Sequence, residues 1–285
     1  MLFDVVHVTT YRYDRPVGLG PHIVRQTPRT DASQRLLAFG CSVTPQPVLQ
    51  SGTLDAEGNL VTRLWFDCTT SVLQITCSSR TETRLSNPFD YLIDAEATGL
   101  PVRYGPDDAQ VLATCLGSGT PASSVSQLAA QLAGQAGQHS LEFLAALNRY
   151  LYHEIKREIR HRGAPQEPAY TLLRRAGACR DLAVLFIAVC RCQGIAARFV
   201  SGYQAHAENP SGRRHLHAWV EVYIPGGGWR GYDPSHGTAV TDDHVAVAAS
   251  CNSNGTMPVC GSYYGTAVGS RMEFDLTIRT RDDAG

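Results

Sequence analysis

The sequence predicts an α+β fold: an N-terminal antiparallel β-sandwich-like domain, then helices packed on an antiparallel sheet. Three observations predict it. Short alternating or β-branched runs separated by turn residues fill positions 1 to about 85. Apolar residues at three- and four-residue spacing follow from 126, and alternating runs return after 196. At 285 residues the chain can bury one large core or two ordinary ones, and the boundary is expected near 120, giving domains 1–120 and 121–285.

In order, FDVVHVTTYRY, LLAFGCSVTP, NLVTRLWF and SVLQITCSS read as strands, with DRPVGLGP, TPQP and LDAEGN as the turns between them. Residues 86–125 are rich in Pro, Gly, Ser and Asp and read as a connector. A helix is expected over Ser126–Ala136, and another over Ser140–Arg160 with Ser140 as N-cap. The KREIRHR run is expected to end that second helix, its cations complementing the helix dipole. A third helix, apolar nearly all round, should start near Cys179 and stop at Gln193, with Gly194 just beyond. Strands follow at 196–203, 216–224, 228–233 and 272–279, and PGGG turns the second of these into the third.

Composition narrows the function. A net charge of −1 supplies no field to steer nucleic acid or an anionic membrane, so neither is an expected partner. No apolar run approaches the roughly 20 residues that span a bilayer. The first residues lack the basic and apolar regions of a signal peptide, so a cytoplasmic location is expected. Nine scattered cysteines are poor material for a disulfide framework, and reduced thiols are expected, although Cys251 and Cys260 flank a loop that could bring them together.

Cys179 is the cysteine whose setting suggests chemistry. At a helix N-terminus, unpaired backbone N–H groups and the helix dipole favour a thiolate. Gly177 and Ala178 before it are small enough to admit a substrate backbone, and Arg180 adds positive charge. Strand 216–224 alternates: Leu216, Ala218, Val220, Val222 and Ile224 form one face, while His217, Trp219, Glu221 and Tyr223 form the other. Asp233 closes the next strand before Pro234. Cysteine, histidine and aspartate in that order make a nucleophile, a base and an orienting group. A tight glycine turn would set Asp233 opposite Val220, about three residues or roughly 10 Å from His217, so contact needs a bulge, a looser turn or twist. His215 with His217 gives a His-x-His pair lacking a further ligand at metal spacing, and neither a metal nor a cofactor is expected. His206, His236 and His244 read as surface loop residues, and Trp229 as a packing aromatic.

The segments GACRDLAVLFIAVCRCQGIAARFVSGY and HAWVEVYIPGGGWRGYDPS, in this order, resemble the transglutaminase-like superfamily, in particular its bacterial cysteine-protease-like branch. HVTTYRYDRPV, DAEGN and NPFDYLID resemble the β domain that precedes the core in bacterial members. The resemblance implies a papain-like core with Cys179 as nucleophile, His217 as general base and acid, and Asp233 as its orienter. Asp181, Trp219 and Glu221 would support the site. It implies acyl transfer from an amide or peptide substrate through a thioester. Water as acceptor gives hydrolysis, the expected reaction, and an amine gives cross-linking or amide synthesis. A binding module that has kept the fold and lost its chemistry is the reading from another class. The sequence departs from the family in two places: no tryptophan lies between Trp65 and Trp219, and VAASCNSNGTMPVCGSYYG stands where relatives carry a G-R-D-Y-like stretch.

Overall fold

The structure is a computed structural model that describes residues 1–160, 162–206 and 214–281. The N-terminal part supplies β1 (Leu2–Val24), β2 (Gln34–Thr44), β3 (Leu49–Leu54), β4 (Leu60–Trp65) and β5 (Thr69–Thr83). Then come α1 (Pro106–Leu116), α2 (Ser123–Gln135), α3 (Ser140–Glu154), β6 (Lys156–Arg157), α4 (Pro168–Arg174), β7 (Ala176–Gly177) and α5 (Cys179–Cys192). The chain finishes with β8 (Ala197–Gln204), β9 (His217–Ile224), β10 (Gly228–Asp233), β11 (Thr238–Ala239), β12 (His244–Ser250), β13 (Val259–Tyr264) and β14 (Ser270–Arg281).

The N-terminal sandwich is one continuous antiparallel sheet that curls, ordered β2-β5-β1-β4-β3, with β13 and β14 also paired to β1. The bend is in β1. Its first half lies between β5 and β14, its register slips between Arg12 and Val17, and its end reaches β4 and β13. Tyr13, Val17, Leu19, Leu64, Leu73 and Ile75 fill the inside of the curl. The sheet thus draws strands from both ends of the sequence.

The second sheet, β11-β10-β9-β8-β12, is antiparallel throughout among the described residues. The even residues of β9, Ala218, Val220, Val222 and Ile224, pack beneath α5, α2 and α3 in the largest core, as the alternation predicts. α5 is held at its far end by a Schellman arrangement: Gly194, at φ +67°, donates to Arg191 O, and Ile195 donates to Cys190 O.

Two carboxamides join the sheets. Gln34 and Asn59, buried at the edge of the N-terminal sheet, each donate and accept along the outer edge of β12. Gln34 bonds the N–H and C=O of Ala246 at 2.7 and 2.8 Å, and Asn59 does the same to Ala249 at 2.8 and 2.9 Å. An edge strand left bare in a buried interface would carry unpaired peptide groups, and these side chains complete its ladder. Phe3, Val5 and Leu276 pack on Tyr203, Val245 and Val247 alongside.

Three sequence expectations change. The 86–125 connector contains α1, whose Pro106 start hides it among turn-forming residues. The helix expected to Arg160 ends at Glu154, and Ser140 is its first residue, after the N-cap His139. KREIRHR therefore does not cap a helix: Lys156 and Arg157 pair in parallel with Ala176 and Gly177, and His161 lies outside the described residues. Finally, Cys251 is disulfide-bonded to Cys115 on α1, while Cys260 is free. Arg191 donates to the carbonyl oxygens of both bridged cysteines, at 2.8 Å each, tying the bridge to α5.

The bridge closes a loop of separation 136 in sequence. Reducing it, or replacing Cys115 by Ser, is expected to lower unfolding stability by about 2–5 kcal/mol in urea titration.

Candidate active site

Cys179 is the first residue of α5 and is partly exposed. Asp181, fully buried, holds this helix start in place. Its Oδ2 accepts from the N–H of Ala178 at 2.7 Å, and its Oδ1 accepts from the N–H of Gln166 at 2.8 Å and from Arg160 at 2.5 Å. One carboxylate thus caps the helix and holds Arg160 and Gln166 beside it. Gly177 is required for this packing, because a Cβ there would stand 2.9 Å from the Asp181 Cβ and 3.2 Å from Thr171. The small residues before Cys179 therefore make room for the protein's own side chains, and the expected clearance for substrate at Gly177 is filled.

His217 and Asp233 meet directly. His217 Nε2 donates to Asp233 Oδ2 at 2.8 Å, and both side chains are buried. The contact needs no bulge. The turn pairs Ile224 with Gly228 and Val220 with Tyr232, which sets Asp233 level with Trp219, one residue nearer than the tight-turn estimate. His217 is then its diagonal neighbour on the same face, within reach of a carboxylate and an imidazole. Trp219 lies between them in sequence and stacks on His217 with centroids 6.1 Å apart. Gly202, opposite His217 on β8, makes space for that indole: a Cβ there would lie 2.5 Å from Trp219.

Cys179 reaches the same end of the sheet. Phe186 packs on Tyr232 at 5.7 Å, and Tyr232 pairs with Val220. Going back seven residues along α5 covers about 10 Å. Three residues back along β9 covers about the same distance and reaches His217. A second path converges on this end: Arg157, whose strand partner is Gly177, donates to His236 Nε2 at 3.0 Å. His236 Nδ1 in turn donates to Asp233 Oδ2 at 2.7 Å. A guanidinium has no acceptor, so Nε2 of His236 carries the lone pair and Nδ1 the proton.

Asp233 also accepts from His244 Nε2 at 3.1 Å and from the Ser235 N–H at 2.9 Å. Burial alone would push this carboxyl up. Attraction to His217 whenever that ring is protonated, and the hydrogen bonds from three histidines, outweigh burial and hold it well below the usual carboxylate range. Burial likewise works against a charged His244, but Asp233 and Asp243 raise its pKa. His217, Asp233 and His236 offer donor atoms within 4.8 Å of one another, yet two of those contacts are the short hydrogen bonds just described.

The remaining sequence candidates sort by contact. Glu221 lies four residues along β9 from His217 and bonds to Arg198 at 2.6 Å, whose guanidinium covers the Trp229 ring at 4.0 Å. It secures β9 to β8. Cys190 is fully buried, and burial pushes its thiol well up. His236 and His244, expected on surface loops, instead bond to Asp233. The signals that could have found them are Asp-Pro-Ser-His closing a strand, and Asp243-His244 opening the alternating run HVAVAAS.

Residues 126–234 match the transglutaminase-like superfamily, and residues 3–82 match the bacterial transglutaminase-like N-terminal region. The chain carries a transglutaminase-like core. It is 24% identical to an uncharacterized protein of Mycobacterium leprae, over 92% of each chain. A protein-glutamine gamma-glutamyltransferase of Pseudomonas aeruginosa is 41% identical over 71 residues, which are 23% of this chain and 11% of that one. The crystal structure of a candidate cysteine protease from Cytophaga hutchinsonii superposes with a TM-score of 0.70 at 21% identity, over 99% of this chain and 92% of that one. The fold of this transglutaminase-like core with its β domain is therefore shared along the whole length.

Two outcomes are expected from these contacts. Asp181→Ala should lower stability by about 3 kcal/mol in denaturant titration, since it leaves buried donors unanswered. The pH dependence has a definite sign. Asp233, depressed below its ordinary 3.8, stabilises the fold above that pH and loses the contribution as pH falls through its folded value. His244, raised above its ordinary 6.5, stabilises the fold below that pH and loses the contribution as pH rises through its folded value. Stability from this cluster should be complete between about pH 4 and 6.5, with His244→Gln flattening the decline above it in a pH series of melts.

Proposed function

We propose that the chain is a cysteine-dependent acyl-transfer enzyme that hydrolyses an amide or peptide bond through a thioester at Cys179. The observation that carries this reading is the buried 2.8 Å bond from His217 Nε2 to Asp233, at the end of the sheet where α5 begins. With Nε2 donating to Asp233, the neutral His217 ring presents Nδ1 as its acceptor nitrogen.

In this reading Nδ1 takes the Cys179 thiol proton as Sγ attacks the substrate carbonyl. The first intrahelical bonds of α5 run from Asp181 N and Leu182 N to Ala178 O, so the earlier amides of Cys179 and Arg180 face the developing oxyanion. Collapse of the tetrahedral adduct breaks the C–N bond, and His217 returns its proton to the leaving amine. Water then adds to the thioester carbonyl while giving a proton to His217. The C–S bond breaks, the acid departs, and the proton returns to Sγ. An amine in place of water would give a new amide by the same steps. The 71-residue identity to a protein-glutamine gamma-glutamyltransferase favours this second reading.

Iodoacetamide at pH 6 is expected to label Cys179 at least tenfold faster than any other free cysteine, read by peptide mass spectrometry, because a neighbouring histidine takes the thiol proton as sulfur attacks. Equal labelling rates overturn the nucleophile. Incubating a peptide library with a primary-amine probe, against Cys179→Ala, separates the acceptors. Cleaved or deamidated products identify water, and tagged products identify the amine.

A further inference from the structure

Behind the three proposed catalytic residues, the structure places a second histidine between two carboxylates. His244 opens β12 and is 5% exposed. Its Nδ1 lies 2.6 Å from Asp243 Oδ1 and its Nε2 lies 3.1 Å from Asp233 Oδ2. A carboxylate only accepts, so an imidazole bonded to two carboxylates through both ring nitrogens must carry a proton on each. His244 is therefore an imidazolium, sealed in the interior and bonded to the same Asp233 oxygen that His217 uses.

We propose that His244, held by Asp243, is a positioning residue that acts through Asp233: its fixed positive charge offsets the Asp233 carboxylate and so limits how strongly that carboxylate raises the basicity of His217. The assignment rests on the Cys179–His217–Asp233 reading above. The site becomes a relay of five groups, Cys179, His217, Asp233, His244 and Asp243, in which the last two set the strength of the base.

The surroundings of His244 support a charged ring. Asp243, itself accepting from Thr241, is brought down to about 2 by hydrogen bonds and charge that outweigh its burial, so it remains an anion throughout the working range. Trp219 meets the His244 ring edge-on at 5.1 Å, and the His217 ring stands at 6.0 Å. His236 bonds to Asp233, His206 acts on Asp243, and Gln204 is the strand partner of His244 on β8. The two anions in bonding contact therefore face one another across a single cation. With His244 neutral, one carboxylate would have to take the proton or lose its bond. Asp233 would then press its whole charge on His217.

The test is side-chain nitrogen NMR on the full-length chain labelled with nitrogen-15. In the unaltered protein, the two His244 ring nitrogens are expected to show the paired shifts of an imidazolium at pH 7. In both His244→Gln and Asp243→Asn, the titration midpoint of the His217 ring is expected to move upward by about one pH unit, the size of effect one nearby charge produces. A packing role alone would leave that midpoint in place. A neutral His244 ring at pH 7 in the unaltered protein, or a His217 midpoint unchanged or lowered in both variants, overturns the proposal. Should one variant fail to fold, the ring shifts of the unaltered protein and the other variant decide. Iodoacetamide labelling of Cys179 on the same samples tests the nucleophile separately, so a failed nucleophile and a failed His244 assignment give different results.

Discussion

A single buried carboxylate organises this end of the molecule. Asp233 is fully enclosed, and an isolated ionised group in that position would cost several kcal/mol. It is tolerated because its Oδ2 receives three imidazole donors and its Oδ1 a backbone N–H. Each imidazole arrives from a different part of the chain: His217 from β9, His236 from the loop after β10, and His244 from β12. The solvation that water would have given is replaced by fixed groups, and fixing them requires the sheet to be complete. Geometry around Asp233 and integrity of the five-stranded sheet are thus one constraint.

This constraint reaches the N-terminal sheet. β12 is the outer strand of its sheet and, among the described residues, has no strand neighbour on its far side. Gln34 and Asn59 take the place of that neighbour, and Thr83 bonds the carbonyl of Asp242 at 2.6 Å, one residue before Asp243. The register of β12, and with it the position of His244, is set by residues that precede Cys179 by about a hundred positions or more. The β domain is in this sense part of the site's scaffold, with no need to touch substrate. At the opposite end of α5, Arg191 and the Cys115–Cys251 bridge fix where the helix stops. Because a helix is stiff, fixing its far end also fixes the position of Cys179.

The parts legible in the sequence are those governed by local pattern. The alternation of 216–224 assigned each residue of β9 to a face, and the Gly194 stop of α5 followed from its backbone preference. Cys179, His217 and Asp233 could be singled out because each sits at the end of a recognisable element. Less legible were features fixed by distant partners. KREIRHR has the composition of a helix end, yet the parallel pairing of Lys156 and Arg157 with Ala176 and Gly177 overrides it. Nothing local to Cys251 distinguishes Cys115 from Cys260 as its partner. His236 and His244 look like loop polar residues until the sheet closes and delivers them to Asp233. Glycines misled in a similar way: Gly177 suggested room for substrate, and the room is occupied by Asp181 and Thr171.

The central position of β1 in the curled sheet has a consequence for how the molecule is made. Residues 2–13 are bonded on one side to β5 and on the other to residues 270–281. During synthesis the β5 side can pair once residues 69–83 have emerged, but the β14 side stays open until residues 270–281 follow, roughly 190 residues later. At roughly 5–20 residues per second, that leaves an unpaired, half-apolar strand edge for tens of seconds. The transglutaminase-like core is translated within that interval, so the segment carrying Cys179 emerges while β1 is still waiting for its last partner.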